Sequence, residues 1–186
     1  MSYDLFDYLK QVKDFRRREG QRHALWAVLG MIIMAIISGH QGLKGFARFM
    51  KANEKELVLA FQLKHGVPSF GTIRTILLQL ELEPLRMAFI RWMRPHLKKQ
   101  RQKGGDIWLS LDGKSLASTV QNSQDALQDF VMVVSLFAQE SGLVMAIQPF
   151  RSKKAYEPQV VRELISKLGL KDVIYTLDAL HCQKKH

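Results

Sequence analysis

The sequence is poor in cysteine and in acidic residues, and its longest apolar run is short. The single cysteine, Cys182, excludes an internal disulfide framework and fits a reducing, cytoplasmic location. Asp4, Asp7 and Asp14 near the start are not the pattern of a signal peptide. The apolar segment 24–37 falls short of the roughly 18 residues that a transmembrane helix needs. We therefore expect a buried core helix there, and no membrane partner.

The deficit of acidic residues is confined to the first part of the chain. Residues 1–105 hold 19 Lys and Arg against 8 Asp and Glu, whereas residues 106–186 hold 9 of each. The whole formal charge of +11 therefore lies in residues 1–105. This asymmetry predicts two parts with different partners, and a polyanion such as DNA for the first. A basic surface without a specific partner is the alternative.

Residues 1–105 show helical periodicity. Asn53, with Glu56 three residues later, predicts a capping box, and Ser69 predicts an N-cap. The capped segment after Ser69 leaves Arg74 on an open face, which is compatible with a helix-turn-helix. The apolar pattern predicts helices at 3–12, 24–38, 42–51, 54–63 and 70–80, and a last helix from Glu83-Pro84 that Pro95 should kink or interrupt.

An arginine-rich segment lies between the first two predicted helices. Arg16, Arg17, Arg18 and Arg22 fall within seven residues of this segment. Guanidinium groups bind phosphate oxygens in a forked geometry, and such contacts position a protein on DNA without reading its sequence. These four residues and Arg74 are the predicted DNA contacts. A solvated charge run is the alternative.

The periodicity changes after the basic, glycine-ended stretch 98–105, where we place the domain boundary. The polar stretch 114–128 is expected to be an exposed loop. The fold class is therefore α+β, with an all-helical domain at 1–105 and an α/β domain of order β-β-β-α-β at 106–186. The predicted elements of the second domain are strands at 107–112, 130–138, 143–149 and 173–177 and a helix at 157–168.

Two of the predicted strands end in a carboxylate, at Asp112 and at Asp178. If the fourth strand lies beside the first, both run in the same direction and the two aspartates meet at the carboxyl ends, where open α/β sheets place their sites. Two carboxylates at one sheet edge suit a hard cation such as Mg²⁺. Taken singly, an aspartate after a strand is ordinary, so the prediction depends on the pairing.

The chain resembles bacterial insertion-sequence transposases of the DDE type, in the group of H-repeat-associated proteins. The resemblance covers nearly the whole chain. Its motifs are Asp14-x-Arg16-Arg17 with Gly20-x-Arg22-His23, Val67-Pro68-Ser69-x-x-Thr72, Leu111-Asp112-Gly113-Lys114-Ser115, and Thr176-Leu177-Asp178-Ala179-Leu180-His181-Cys182-Gln183-Lys184. The last two are the most specific. The chain departs from the family pattern at Phe15 and Ala24, where the family has proline, and near Gly71, where it has an acidic residue.

The resemblance implies a partial RNase H-like catalytic domain, in which Asp112 and Asp178 are the first two of three metal-binding carboxylates. It implies Mg²⁺ or Mn²⁺, with two ions in the complete enzyme, and Lys114 as a phosphate contact. The implied partners are DNA at insertion-sequence ends and further copies of the chain. The third carboxylate is a glutamate on a later helix without a counterpart in these residues. We therefore expect a truncated transposase that is inactive by itself.

Two other functions stay open. A stand-alone DNA-binding regulator would use the charge of residues 1–105 without catalysis. A complete nuclease would add Glu157, at the start of the predicted helix, to Asp112 and Asp178. The ordinary explanation of Glu157 is an acidic residue favoured by the helix dipole.

Overall fold

The structure, a computed structural model, describes residues 4–101, 107–121, 129–140 and 142–178. Backbone packing divides the chain into two compact units, 1–88 and 89–186, and α6 begins in the first and continues in the second. The described elements are α1 (Leu5–Leu9), α2 (Leu25–Ile37), α3 (Gly42–Ala52), α4 (Glu54–Phe61), α5 (Phe70–Gln79), α6 (Leu82–Arg101), β1 (Ile107–Gln121), β2 (Asp129–Ala138), β3 (Leu143–Arg151), α7 (Glu157–Leu168) and β4 (Val173–Thr176). The predicted α+β order is confirmed.

Helix α2 is the central helix of the first unit. It packs against α1 and α3, and α3 packs in turn against α4 and α5. Eight residues of α2 are buried, among them Val28 and Met31, and burying one large apolar side chain contributes about 1.5–3 kcal/mol. The last turn differs, since Ile36 and Ile37 are 56% and 80% exposed. The prediction of a buried core helix is therefore correct for the earlier turns of α2 but not for its last turn.

The same region passes a simple test for a membrane span. By length and composition, Arg18–Ile37 is apolar enough to cross a membrane, and 50% of that window is buried within the protein. The helix itself, α2, has 13 residues, which corresponds to a length of about 20 Å. Its burial against α1 and α3 is the behaviour of a core helix.

The predicted helix boundaries have mixed outcomes. Ser69 caps α5 as expected, because its hydroxyl accepts a hydrogen bond from the Thr72 amide at 3.2 Å. The capping box at Asn53 is wrong. Helices α3 and α4 follow each other without a linker, so Asn53 is also the C-cap of α3 and its side-chain amide donates to the Phe49 carbonyl at 2.8 Å. Helix α6 continues through Pro95 rather than ending there.

The second unit contains a mixed sheet of order β3-β2-β1-β4. β1 and β2 are antiparallel, as are β2 and β3, whereas β4 is parallel to β1 as predicted. α7 packs on one face of this sheet, and Gly169 ends the helix in the left-handed conformation with φ of 54°. From α6, an Arg94 guanidinium nitrogen donates to the Leu168 carbonyl at 2.8 Å. This bond satisfies one of the last carbonyl groups of α7.

Strand β1 is longer than the sequence predicts. The loop expected at 114–128 is wrong over its first part, because β1 runs on to Gln121 and stays paired with β2 through Leu116 opposite Val131. The physical reason is that β2 satisfies the backbone groups of this stretch, while its polar side chains can remain on an exposed face. Residues 122–128 lie outside the described part of the chain.

Candidate functional site

Asp112 lies within β1, and Asp178 follows the neighbouring parallel strand, β4. The paired residues of β1 and β4 run from Ile107 opposite Val173 to Ser110 opposite Thr176, with a constant separation of 66 residues. Asp112 and Asp178 are also 66 residues apart. The paired residues end at Ser110 and Thr176, so Asp112 and Asp178 each come two residues after the last pair, Asp112 still within β1 and Asp178 just after β4.

A polar bridge joins the strands next to this pair. The Ser110 and Thr176 hydroxyl groups are hydrogen-bonded at 2.8 Å. The Gln139 side-chain amide donates to both, at 2.5 Å to Ser110 and 3.3 Å to Thr176. Because side chains two residues apart on a strand share a face, this bridge lies on the face that carries Asp112. The bridge links β1 and β4 two residues before Asp112 and Asp178.

Sequence reasoning missed this bridge, although a signal for it was present. Ser110 and Thr176 have the same separation as Asp112 and Asp178, two residues earlier on each strand. Two polar residues in otherwise apolar strands, at matching positions, would have indicated a cross-strand hydrogen bond.

Lys114 follows Asp112 on the same exposed face. Its ammonium nitrogen lies 3.8 Å from an Asp112 carboxylate oxygen, and the two side chains are 78% and 65% exposed. An ion pair this open to water is worth little energy. Lys114 is therefore able to turn from Asp112 to a phosphate group without a large cost.

Glu157 approaches β1 from the other face. A Cβ placed on Gly113 would lie 2.6 Å from the Glu157 carboxyl carbon, so the absence of a side chain at Gly113 makes room for that carboxylate. Successive residues of a strand point to opposite faces, and Asp112 therefore points away from Glu157. Among the described residues, no group of three His, Cys, Asp or Glu side chains is placed to hold one metal ion. The three-carboxylate nuclease arrangement is not formed by these residues.

The basic segment separates into one structural arginine and several exposed ones. The Arg16 side chain is only 6% exposed. Its guanidinium donates to both Asp14 carboxylate oxygens, at 2.9 and 2.7 Å, and to the carbonyl groups of Gly20 and His23, at 3.0 and 2.7 Å. These bonds close the loop of residues 14–23 on itself. The structure thus engages Arg16 internally, in contrast to its predicted role as a phosphate contact.

Electrostatics agree with that geometry. The hydrogen bond from Arg16 is the main reason that the pKa of the Asp14 carboxyl lies below its usual value, against the opposing effect of burial. Arg17, Arg18, Arg22 and Arg74 are exposed. Arg18 belongs to a single 3-10 turn, Arg18–Gly20, that the closed loop supports. The exposed arginines therefore remain available to an external anion.

Comparison with known proteins connects the whole chain to transposases. The family DDE_Tnp_1-associated matches residues 6–93. The chain is 26% identical over 180 residues to "Putative transposase YncI" of Escherichia coli (strain K12). The aligned region covers 97% of the chain and 70% of that relative. It is 27% identical over 181 residues to "H repeat-associated putative transposase YhhI" of the same strain, covering 97% of the chain and 46% of that relative.

A further relative comes from another organism. The chain is 25% identical over 180 residues to "Uncharacterized protein in dhlA 3'region" of Xanthobacter autotrophicus, covering 95% of the chain and 58% of that relative. The chain thus spans about half the length of YhhI and of the Xanthobacter relative. Over nearly its whole length the chain is distantly similar to these putative transposases, and its residues 6–93 match the DDE_Tnp_1-associated model.

Proposed function

We propose that this chain is a transposase polypeptide that binds DNA through residues 1–105 and carries part of an RNase H-like catalytic domain in residues 106–186. The register between β1 and β4 carries the proposal, because its last pair, Ser110 and Thr176, comes two residues before Asp112 and Asp178; we expect the two carboxylates to approach each other there. The homology to transposases supports the same assignment. The DNA-binding part rests on the concentration of the net charge, +11, in residues 1–105.

The aspartate pair suits a divalent metal ion. Asp112 is exposed within β1, and Asp178 follows the neighbouring strand, β4. Magnesium is commonly held by one or two carboxylates together with water and substrate phosphate, so these two residues fit Mg²⁺ or Mn²⁺. Bound metal would supply activation of the attacking oxygen and stabilisation of the leaving oxygen during displacement at phosphorus.

The protein's own groups position the DNA. Lys114, next to Asp112, would contact a phosphate near the cut. Arg17, Arg18, Arg22 and Arg74 would neutralise phosphates farther along the duplex, which sets affinity and register rather than sequence preference. In this proposal Arg16 acts indirectly, by closing the loop that presents its neighbours.

Metal binding by the full chain tests the catalytic part of the proposal. Mn²⁺ binding is measured by electron paramagnetic resonance for the wild type, for Asp112→Asn and for Glu163→Gln, which alters an exposed carboxylate of α7. We expect Asp112→Asn to weaken Mn²⁺ binding at least tenfold and Glu163→Gln to leave it unchanged. Equal binding by all three proteins would remove Asp112 from the metal site.

Strand cleavage is a separate question. The resemblance assigns the third carboxylate to a glutamate that we do not place on any residue of this sequence. We therefore expect the 186-residue chain to bind a plasmid that carries the cognate element end without nicking it in Mg²⁺ or Mn²⁺. Metal-dependent nicking that disappears in Asp112→Asn would show instead that these residues suffice for catalysis.

A second candidate function is a DNA-binding regulator without catalysis. The observation that favours it is that the charge surplus lies entirely outside the sheet-bearing residues. A regulator should bind duplex DNA in a salt-dependent manner, and Arg17→Ala and Arg18→Ala should weaken that binding. In the Mn²⁺ measurement described above, the wild-type regulator should bind Mn²⁺ no better than the Asp112→Asn variant does. Duplex affinity that does not fall with rising salt would contradict both functions, because phosphate neutralisation makes it fall.

A further inference from the structure

Two clefts open on either side of Trp26 in the first unit. The first has a volume of about 360 Å³ and is lined in part by Lys10, Lys13 and Asp14. The second has a volume of about 260 Å³ and is lined in part by Arg22 and Lys64. Gln21, Ala24 and Trp26 line both clefts, so the indole stands between them. We refer to them as the first and second Trp26 clefts.

Both clefts favour an anion. Lysines 10 and 13 lie at the first cleft, and Arg22 and Lys64 at the second. Among the lining residues Asp14 is the one carboxylate, and the Arg16 guanidinium already neutralises it at 2.7 Å. Lys10 forms an exposed ion pair with Asp7, and water strongly screens such a pair. The balance of charge along the pair of clefts is therefore positive.

Two histidines, His23 and His65, also line the second cleft. The pKa of the His23 imidazole is lowered by burial first, and then by the positive charges of Arg22, His65 and Arg16. Within the described residues no hydrogen bond to the His23 side chain is present, although the residue is only 7% exposed. The lowered pKa keeps His23 mostly neutral at pH 7, so Arg22 and Lys64 supply the positive charge of this cleft.

The indole between the clefts is held in a defined orientation. Trp26 packs against Phe61, with ring centroids 5.8 Å apart, and against the edge of Phe6 at 6.3 Å. The Lys10 ammonium lies 5.2 Å from the ring centroid. Trp26 nevertheless keeps part of its surface exposed. The Lys10 ammonium lies over the ring, so a base would stack on the indole by displacing this exposed side chain, which also pairs with Asp7.

A positively charged groove with an aromatic platform is how proteins hold an unpaired strand. The backbone follows the cations, while a base stacks on the ring. In duplex DNA the bases are stacked on one another and do not present a face to the protein. The start of α2 adds to the positive potential, since its N-cap, Ala24, lines both clefts and supplies no side-chain hydrogen bond to the helix.

We propose that the two Trp26 clefts bind unpaired DNA, with one base stacked on Trp26 and the flanking phosphates held by Lys13 in the first cleft and Lys64 in the second. This inference rests on the proposed DNA-binding function of residues 1–105 and adds a preference for single-stranded segments. A transposase meets such segments wherever the ends of its element are opened or frayed. The exposed arginines contact the duplex part of the same DNA.

Tryptophan fluorescence tests the stacking directly. The chain has three tryptophans, so Trp92→Phe with Trp108→Phe leaves Trp26 as the reporter. We expect an unlabelled twelve-nucleotide oligothymidylate to quench the emission of this full-length variant as it binds, and a twelve-base-pair duplex to bind with little quenching. Fluorescence anisotropy of the same DNAs, labelled, gives the affinities independently.

Charge-matched variants test the phosphate contacts. Lys13→Gln with Lys64→Gln removes one cation from each cleft. Lys44→Gln with Lys55→Gln removes two exposed cations that do not line the clefts. Losing two phosphate contacts should lower the slope of log affinity against log salt by about 1.4 and weaken oligothymidylate binding roughly tenfold at 0.1 M salt. We expect the control pair to weaken it less than threefold.

The outcomes separate the two proposals. Binding of oligothymidylate without quenching, or equal weakening by both lysine pairs, overturns the Trp26 clefts and leaves duplex binding intact. Binding of the duplex alone has the same meaning. If neither DNA binds to the folded chain, then both the clefts and the proposed DNA-binding function fail.

Discussion

Replacing Arg16 by alanine should destabilise the protein far more than replacing its neighbours. Arg16 is 6% exposed and makes four side-chain hydrogen bonds within the segment 14–23, two of them to Asp14. Arg17 and Arg18 are exposed and adjacent in sequence. The three positions have the same side chain and the same charge, so a difference between their variants reports on tertiary structure alone.

The magnitude follows from what the substitution leaves behind. Arg16→Ala removes the partner of Asp14, whose side chain is 22% exposed, and the donors to the Gly20 and His23 carbonyl groups. Removing one partner of a buried ion pair costs about 3–5 kcal/mol. Partial exposure of Asp14 places the expected loss at the lower end, about 3 kcal/mol. Arg16→Lys keeps the charge but cannot form the same fork, so it should lose about half as much.

Thermal melting of the full-length variants, followed by circular dichroism at neutral pH, measures the effect. A loss of about 3 kcal/mol should lower the Tm of the helical unit by 10 °C or more, since a domain of this size shifts by about 4–8 °C per kcal/mol. Arg17→Ala and Arg18→Ala should change the Tm by no more than a few degrees. A Tm for Arg16→Ala equal to that of Arg17→Ala would refute the buried network.

Three further predictions concern other parts of the chain. Burial lowers the pKa of His23 in the folded protein below its ordinary value of 6.5, so the unfolded state binds the proton more readily. The wild type should therefore lose stability as the pH falls below about 6.5, and His23→Gln should lack this loss in urea titrations between pH 8 and pH 5. Gly113→Ala should cost about 1–3 kcal/mol, because the new methyl group meets the Glu157 carboxylate; Gly71→Ala, which meets an atom only at 3.8 Å, is the matched control and should cost nothing in the same melts. Ser110→Ala, which breaks the bridge between β1 and β4, should cost about 1 kcal/mol; unchanged urea stability would show that the bridge contributes nothing.

Much of the fold could be predicted because its signals are local. The apolar positions of α2, α5 and α7 recur at helical spacing, and Ser69 and Gly169 mark helix ends through their own backbone chemistry. The parallel pairing of β4 with β1 was also within reach, since topological rules allow few places for a strand that follows a crossover helix. In these cases a short stretch of residues determines the outcome.

The length of β1 could not be predicted in the same way. Residues 113–121 are mostly small and polar, and such a stretch is a loop unless a partner strand satisfies its backbone groups. β2 is that partner, and the pairing with it extends from Leu109 to Leu116 and resumes at Gln121. A strand forms only when a neighbouring strand satisfies its backbone hydrogen bonds, and the tertiary structure decides which strand that is.

The sequence by itself determined the order of elements and the charge asymmetry, because each depends on residues close together in the chain. Only the tertiary structure decided which arginine is structural, since the burial of Arg16 depends on how residues 14–23 close on themselves. It also decided that Glu157 and Asp112 lie on opposite faces of β1 and that Trp26 stands between two cationic clefts. These features arise from contacts between segments that are distant in the sequence. A sequence pattern does not show which face of a helix or strand a distant residue will contact.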